Sequence, residues 1–164
     1  MLVTIWRHAE AAPALDDERR ELTDRGRKQL SASVDAFSAW LVAECMSRVD
    51  VLRFSPLIRT RQTAERLAQG CGVSDCDEAL WLRPVVATPE VGALISKSLA
   101  LSECAHILLV SHHPLVAGLI ALWSDSAELP PLLPGGCATL DVLSPERGGA
   151  TLLRHCPDPR VASL

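Results

Sequence analysis

The sequence predicts an α/β protein: a single-domain α/β/α sandwich around a mostly parallel central sheet, without large insertions. Three observations lead there. Three apolar runs, Leu2 to Trp6, Val49 to Phe54 and Ile107 to Val110, have the β-branched and aliphatic composition of strands buried on both faces. Between and after them the apolar residues recur at helical spacing. Each run also stops at arginine or histidine: Arg7-His8-Ala9-Glu10, Ser55-Pro56-Leu57-Ile58-Arg59-Thr60 and Ser111-His112-His113-Pro114. In parallel sheets ligands bind outside the carboxyl ends of the strands, so three such ends meeting at one edge would build a cationic crevice. At 164 residues the chain is expected to form one domain spanning 1–164.

The elements follow in order. After the first strand comes a polar loop, Ala12 to Glu21. Thr23 then caps a helix whose apolar face runs Leu30, Val34, Phe37 and Leu41. The strand at 49–54 leads into a helix from about Arg59 to Ala68, ended by Gly70 and Gly72. Ala79 to Val86 reads as a short edge strand interrupted by Pro84. Thr88-Pro89-Glu90 reads as a helix start, with threonine as cap and glutamate facing the positive end of the helix dipole. The apolar face of that helix is Val91, Leu94, Ile95 and Leu99. The strand at 107–110 feeds a helix opening at Pro114 and running to about Trp123. An irregular stretch with Pro130, Pro131, Pro134, Gly135 and Gly136 precedes a closing hairpin of Ala138 to Leu143 and Ala150 to His155.

Composition narrows the function. A net charge of −4 provides no basic stripe, so nucleic acid is not expected as a partner and the arginines read as local devices. Residues 1–6 are too short for a signal segment, and no apolar stretch nears the ~20 residues of a membrane span, so neither export nor a membrane partner is expected and the protein is placed in the cytoplasm. The six cysteines lack a CxxC pair or metal-ligand spacing and read as free thiols, with no metal site.

The chemistry lies at the three strand ends. Two arginines and two histidines there suit a doubly charged phosphoryl group. An imidazole nitrogen of His8 is the candidate nucleophile, able to hold the phosphoryl group covalently and yield it to water. The planar guanidinium groups of Arg7 and Arg59 match the phosphate fork. His112 fits beside them as a protonated donor. Each group alone has an ordinary structural explanation; their coincidence at three separate strand ends favours the functional one.

Taken together these segments resemble the histidine phosphatase superfamily, and within it the small SixA-type phosphohistidine phosphatases. The likeness rests on Arg7-His8-Ala9-Glu10, on Arg20-Glu21-Leu22-Thr23-Asp24-Arg25-Gly26, on Ser55-Pro56 with Arg59-Thr60 and Gln62-Thr63, and on Val110-Ser111-His112-His113-Pro114-Leu115-Val116. It implies a phosphoglycerate mutase-like fold, His8 as the phosphorylated nucleophile, and a phosphate pocket of Arg7, Arg59 and His112. His112 rather than His113 is the matching histidine, because it directly follows the serine. Neither a metal nor another cofactor is implied. Arg20 is a candidate for the pocket rim, with an ordinary loop role as the alternative. Ala9 stands where many relatives carry glycine. Relatives that cleave alkyl phosphates place a carboxylate over the leaving oxygen; Glu90 is the candidate here, although helix-start chemistry explains its position first. The short segment between Ser55 and Ser111 leaves the pocket open enough for a phosphohistidine on a protein surface, such as a phosphorelay or phosphocarrier domain. A general small-molecule phosphomonoesterase is the alternative enzyme, and a non-catalytic phosphoprotein-binding module the alternative of another class.

Overall fold

The computed structural model describes residues 1–84, 88–99, 104–126, 128–144 and 146–160. The side chains of Pro89 and of residues 96–99, and with them the expected inward position of Leu99, lie outside what is described. The chain runs β1 (Leu2–Arg7), a 3₁₀ turn (Asp17–Arg19), α1 (Asp24–Ala43), β2 (Val51–Phe54), α2 (Ile58–Cys71), β3 (Asp75–Glu78), a second 3₁₀ turn (Leu80–Leu82), α3 (Thr88–Leu99), β4 (His106–Ser111), α4 (Leu115–Ser124), β5 (Cys137–Val142) and β6 (Ala150–Cys156). One six-stranded sheet has the order β3-β2-β4-β1-β5-β6. β1, β2, β3 and β4 are parallel, and β5 turns antiparallel between β1 and β6. This is the expected α/β sandwich, with the three strands that end in arginine or histidine adjacent in its middle.

The period-two alternation of the central strands sends side chains to both faces. From β1 and β4, Val3, Ile5, Ile107 and Leu109 pack beneath α3 and α4 with Val91, Ile95, Leu119 and Trp123. Trp6, Leu108 and Val110 pack on the opposite face beneath α1 and α2 with Leu30, Val34, Phe37 and Leu67. A buried polar chain crosses the middle of the sheet. Nδ1 of His106 donates to the Ser47 carbonyl at 2.9 Å, so its Nε2 accepts from Thr4 Oγ1 at 2.8 Å, and Thr4 in turn accepts from Thr139 at 2.9 Å.

Local sequence explains the helix ends. Thr23 Oγ1 accepts from the Gly26 amide at 2.9 Å and caps α1, and Gly72 ends α2 in the left-handed conformation at φ 69°. Gly70 lies inside α2 rather than after it. The edge strand is displaced from its expected place. It is Asp75–Glu78, whereas 79–84 make a tight turn that buries Leu82 and leaves Leu80 exposed; residues 85 and 86 of the expected strand lie outside the described ones. A polar edge strand packs only one half-buried side chain, Cys76, and so lacks the apolar alternation by which a strand is read. In α3, Val91 and Ile95 are buried as expected, but Leu94 is 40% exposed. Among the described residues, no helix is long and apolar enough to cross a membrane.

Candidate active site

At the carboxyl ends of β1, β2 and β4 the chain brings His8, Arg7, Arg59 and His112 together. The rings of His8 and His112 lie 5.1 Å apart, centre to centre, at 55°. Both are nearly buried, at 8% and 3% exposure, and Arg59 is buried at 4%.

The backbone fixes the tautomer of His8. Its Nδ1 lies 2.8 Å from the Ala9 carbonyl, which only accepts, so Nδ1 carries the proton and Nε2 keeps its lone pair. Burial first, then the positive charges of Arg59, Arg7 and Arg20, lower the His8 pKa to about 4 against the favourable Ala9 contact. The ring is therefore neutral at pH 7, with a free nitrogen base in a cationic setting. Its loop is held tightly: the Ala9 amide donates to Thr63 Oγ1 at 3.1 Å, and the Gly135 amide donates to the carbonyls of Arg7 at 3.2 Å and His8 at 3.0 Å.

His112 corrects one expectation. Burial, followed by His8 and Arg59, lowers its pKa to about 3, so in this ligand-free arrangement it is neutral rather than a protonated donor. Its Nε2 shares a hydrogen bond with Ser55 Oγ at 2.9 Å. Its Nδ1 is buried without a partner. The adjacent His113 donates from Nε2 to the Leu132 carbonyl at 2.9 Å, an acceptor it shares with Arg7, whereas it is the His112 ring that faces His8.

The arginines are partly engaged. Arg7 donates from an Nη to the Leu132 carbonyl at 2.7 Å, and burial lowers its pKa from the ordinary value. Arg59 donates to the Asp17 carbonyl at 2.7 Å and to its carboxylate at 3.0 Å. In both arginines Nε is buried and unpartnered. Buried donors are normally satisfied, so two guanidinium Nε-H groups and a histidine nitrogen without partners in this cluster are hydrogen-bonding capacity that an acceptor-rich anion could meet.

The remaining candidates separate. Arg20 spends its donors on the loop, to the carbonyls of Ala12 at 3.0 Å and Ala11 at 3.4 Å and to the Asp17 carboxylate at 3.2 Å, while its charge reaches His8 through space. Glu90 stands exposed in the first turn of α3, and among the described residues no hydrogen bond joins it to either histidine. Sequence reading missed Asp17, which looks like any charge in a polar loop. Burial pushes its carboxyl upward, but hydrogen bonds from Arg20 and Arg59 outweigh this and hold it below the usual range. Its neighbour Glu18 faces Arg83 at 3.6 Å, so the 3₁₀ turn sets acidic groups against Arg20, Arg59 and Arg83. Leu132 was also missed; a backbone carbonyl has no signal in the residue code.

Beside the His8 loop a cleft of about 210 Å³ opens between Glu10, Arg25, Leu133, Pro134, Asp158 and Arg160. Its charges are paired across its walls, Arg25 with Glu10 and Arg160 with Asp158.

Comparison with known proteins agrees with this geometry. Residues 3–80 match the model of the histidine phosphatase superfamily (branch 1). Among solved structures, the protein histidine phosphatase SixA complexed with tungstate superposes with a TM-score of 0.82 at 25% identity, covering 98% of this chain and 99% of that one. The putative phosphohistidine phosphatase SixA from Agrobacterium tumefaciens gives 0.74 at 22% identity over 93% and 95%. A mycobacterial glucosyl-3-phosphoglycerate phosphatase shares the fold, with a TM-score of 0.73 at 14% identity over 96% and 99%. No curated protein matches the sequence. The family match spans the strands and loops that carry Arg7, His8 and Arg59, and the fold is similar to that of the SixA structure from end to end.

Proposed function

We propose that this protein is a phosphatase that removes the phosphoryl group from phosphohistidine on a protein, through a covalent phospho-His8 intermediate. One observation carries the reading: the proton of His8 is fixed on Nδ1, which leaves Nε2 as a neutral nucleophile beside unpartnered Nε-H donors of Arg7 and Arg59. In the first step Nε2 of His8 bonds to phosphorus as the bond to the substrate imidazole breaks, and the departing ring takes a proton from solvent. In the second, water attacks phospho-His8, loses a proton, and inorganic phosphate leaves. Arg7 and Arg59 stabilise the equatorial oxygens in both steps. His112 shares a hydrogen bond with the Ser55 hydroxyl through Nε2 and has its Nδ1 unpartnered; a phosphate bound beside it raises its pKa toward the ordinary range.

The substrate class follows from the rim. A phosphoramidate needs little help to expel its imidazole, whereas an alkoxide needs a positioned acid. Glu90, the acid candidate that the sequence offered, is exposed and, among the described residues, makes no hydrogen bond to either histidine. The likeness to SixA structures supports the same choice, while the fold shared with a sugar-phosphate phosphatase keeps a small-molecule phosphomonoesterase as the second reading.

The test is turnover by wild type and His8→Ala on a histidine-phosphorylated carrier protein and on a panel of small phosphomonoesters. Release from the carrier alone, lost in the variant, is the expected result. Preference for small esters would transfer the assignment to the second reading. Phosphate binding without turnover on either would make the domain a binding module, and turnover retained by His8→Ala would remove the covalent mechanism.

A further inference from the structure

At the start of β5 and the end of β6, two cysteines share an environment that the phosphatase reading does not use. Cys137 and Cys156 are direct partners in the register of β5 and β6. Directly opposed residues of an antiparallel pair project to one face with Cα atoms about 4.5–5.5 Å apart, within the roughly 4.4–6.8 Å that a disulfide spans. Both sulfurs belong to the layer beneath α1, Cys137 buried and Cys156 half-buried. Arg154, two residues before Cys156 and thus on the same face, donates from Nε to Cys156 Sγ at 3.1 Å. Its guanidinium carbon lies 4.9 Å from the centre of the Trp40 ring, so the cation is seated against an aromatic face as well as the sulfur.

These contacts divide the pair. The Cys137 thiol donates to Cys156, and with Arg154 this lowers the Cys156 pKa to about 6, while Cys137 is pushed well above the ordinary thiol value. Burial raises Cys71, Cys76 and Cys104 instead. An accessible thiolate beside a protonated thiol is the arrangement of an attacking and a resolving cysteine.

We propose that Cys156 and Cys137 form a peroxide-responsive dithiol, with Cys156 attacking and Cys137 resolving. The Cys156 thiolate attacks one oxygen of a hydroperoxide, the O–O bond breaks, the other oxygen leaves as hydroxide or alkoxide, and Cys156 becomes a sulfenic acid. Cys137 then gives up its proton and attacks that sulfur, the S–O bond breaks, water leaves, and the disulfide forms. Two electrons pass from the cysteine pair to the peroxide, and an external dithiol returns them.

The test uses the full chain. Iodoacetamide labelling, read by peptide mapping across pH 5 to 9, is expected to show Cys156 with a rate midpoint near pH 6. At pH 6 Cys156 should react about tenfold faster than the exposed Cys45, because half of it is thiolate although each thiolate is a weaker nucleophile. Stoichiometric hydrogen peroxide should then yield a Cys137–Cys156 linked peptide that dithiothreitol reverses, and Cys137→Ser should leave a sulfenic acid trapped by dimedone. Arg154→Gln should move the labelling midpoint upward. A Cys156 midpoint in the ordinary thiol range, or peroxide treatment that produces no Cys137–Cys156 link in the wild-type chain, overturns the proposal; both readings use unmutated protein, so failure of a variant to fold leaves the test intact.

Discussion

Asp17 meets Arg59 twice, through its main-chain carbonyl at 2.7 Å and its carboxylate at 3.0 Å, and so occupies both Nη groups of the guanidinium proposed to hold phosphate. The carboxylate repels an incoming dianion as well as steering the arginine. Asp17→Asn keeps the hydrogen-bonding shape and deletes the charge. Because Asp17 is largely exposed, the gain in phosphate affinity is set on the order of 1 kcal/mol, about fivefold, after screening. Titration calorimetry with inorganic phosphate measures it. Weaker binding in the variant would mean that the charge acts by positioning Arg59 rather than by opposing phosphate.

Ser55 is fully buried and its hydroxyl is the sole partner of His112 Nε2 among the described residues. Ser55→Ala strips that partner and frees the ring to exchange tautomers. Leaving a buried nitrogen unpaired costs about 1–3 kcal/mol, so kcat/KM on a phosphohistidine substrate should fall by about tenfold or more. Unchanged kinetics would detach Ser55 from the function of His112.

The histidines also set an acid limit on stability. Folded His8 and His112 titrate near 4 and 3, against an ordinary value of 6.5 in the unfolded chain. Below pH 6.5 the unfolded chain binds protons that the folded one refuses, so stability falls with decreasing pH, by about 1.4 kcal/mol per unit for each fully mismatched histidine. Glu10 and Asp158 are held below their ordinary range and lose their contribution only nearer pH 4, so between about 4.5 and 6.5 the slope comes from the histidines, His106 and His155 included, together with the Cys156 thiolate as it takes up its proton near pH 6. Urea midpoints at pH 7, 6 and 5 should decline steadily, and less steeply in His112→Gln. A flat profile across that interval would contradict neutral, buried rings.

Gly26 tests the seating of α1 against the His8 loop. A methyl group there would lie 2.4 Å from the Glu10 carbonyl oxygen, a backbone atom with little room to yield. Alanine in place of helical glycine ordinarily stabilises by up to about 1 kcal/mol. Here Gly26→Ala should instead destabilise by roughly 1–3 kcal/mol, a loss of several degrees in Tm by calorimetry. A raised Tm would show that the helix end shifts freely.

Sequence and structure agree where burial drives local pattern. The strands carrying Arg7, Arg59 and His112 were legible because central parallel strands must be apolar on both faces, and α1 was legible from Thr23 and the stripe of Leu30, Val34, Phe37 and Leu41. The solvent-facing pieces were not. β3 contains Asp75, Asp77 and Glu78 and reads as loop, and Asp17 became part of the site only because tertiary folding lays its turn across Arg59. The charge state of His112 was not legible for a related reason: residue type indicates a titratable ring, but its burial and the neighbouring cations exist only in three dimensions.

The order β2-β4-β1 has a consequence for how the crevice comes into being. Its walls come from three remote stretches of chain, and only the pairing of β4 with both neighbours sets them side by side. Such non-local pairing exists only once the sheet is assembled, so no fragment holding one of the three loops should retain affinity for phosphate. An anion that bridges all three strand ends therefore ties the centre of the sheet together, and raising its concentration shifts the folding equilibrium itself by mass action.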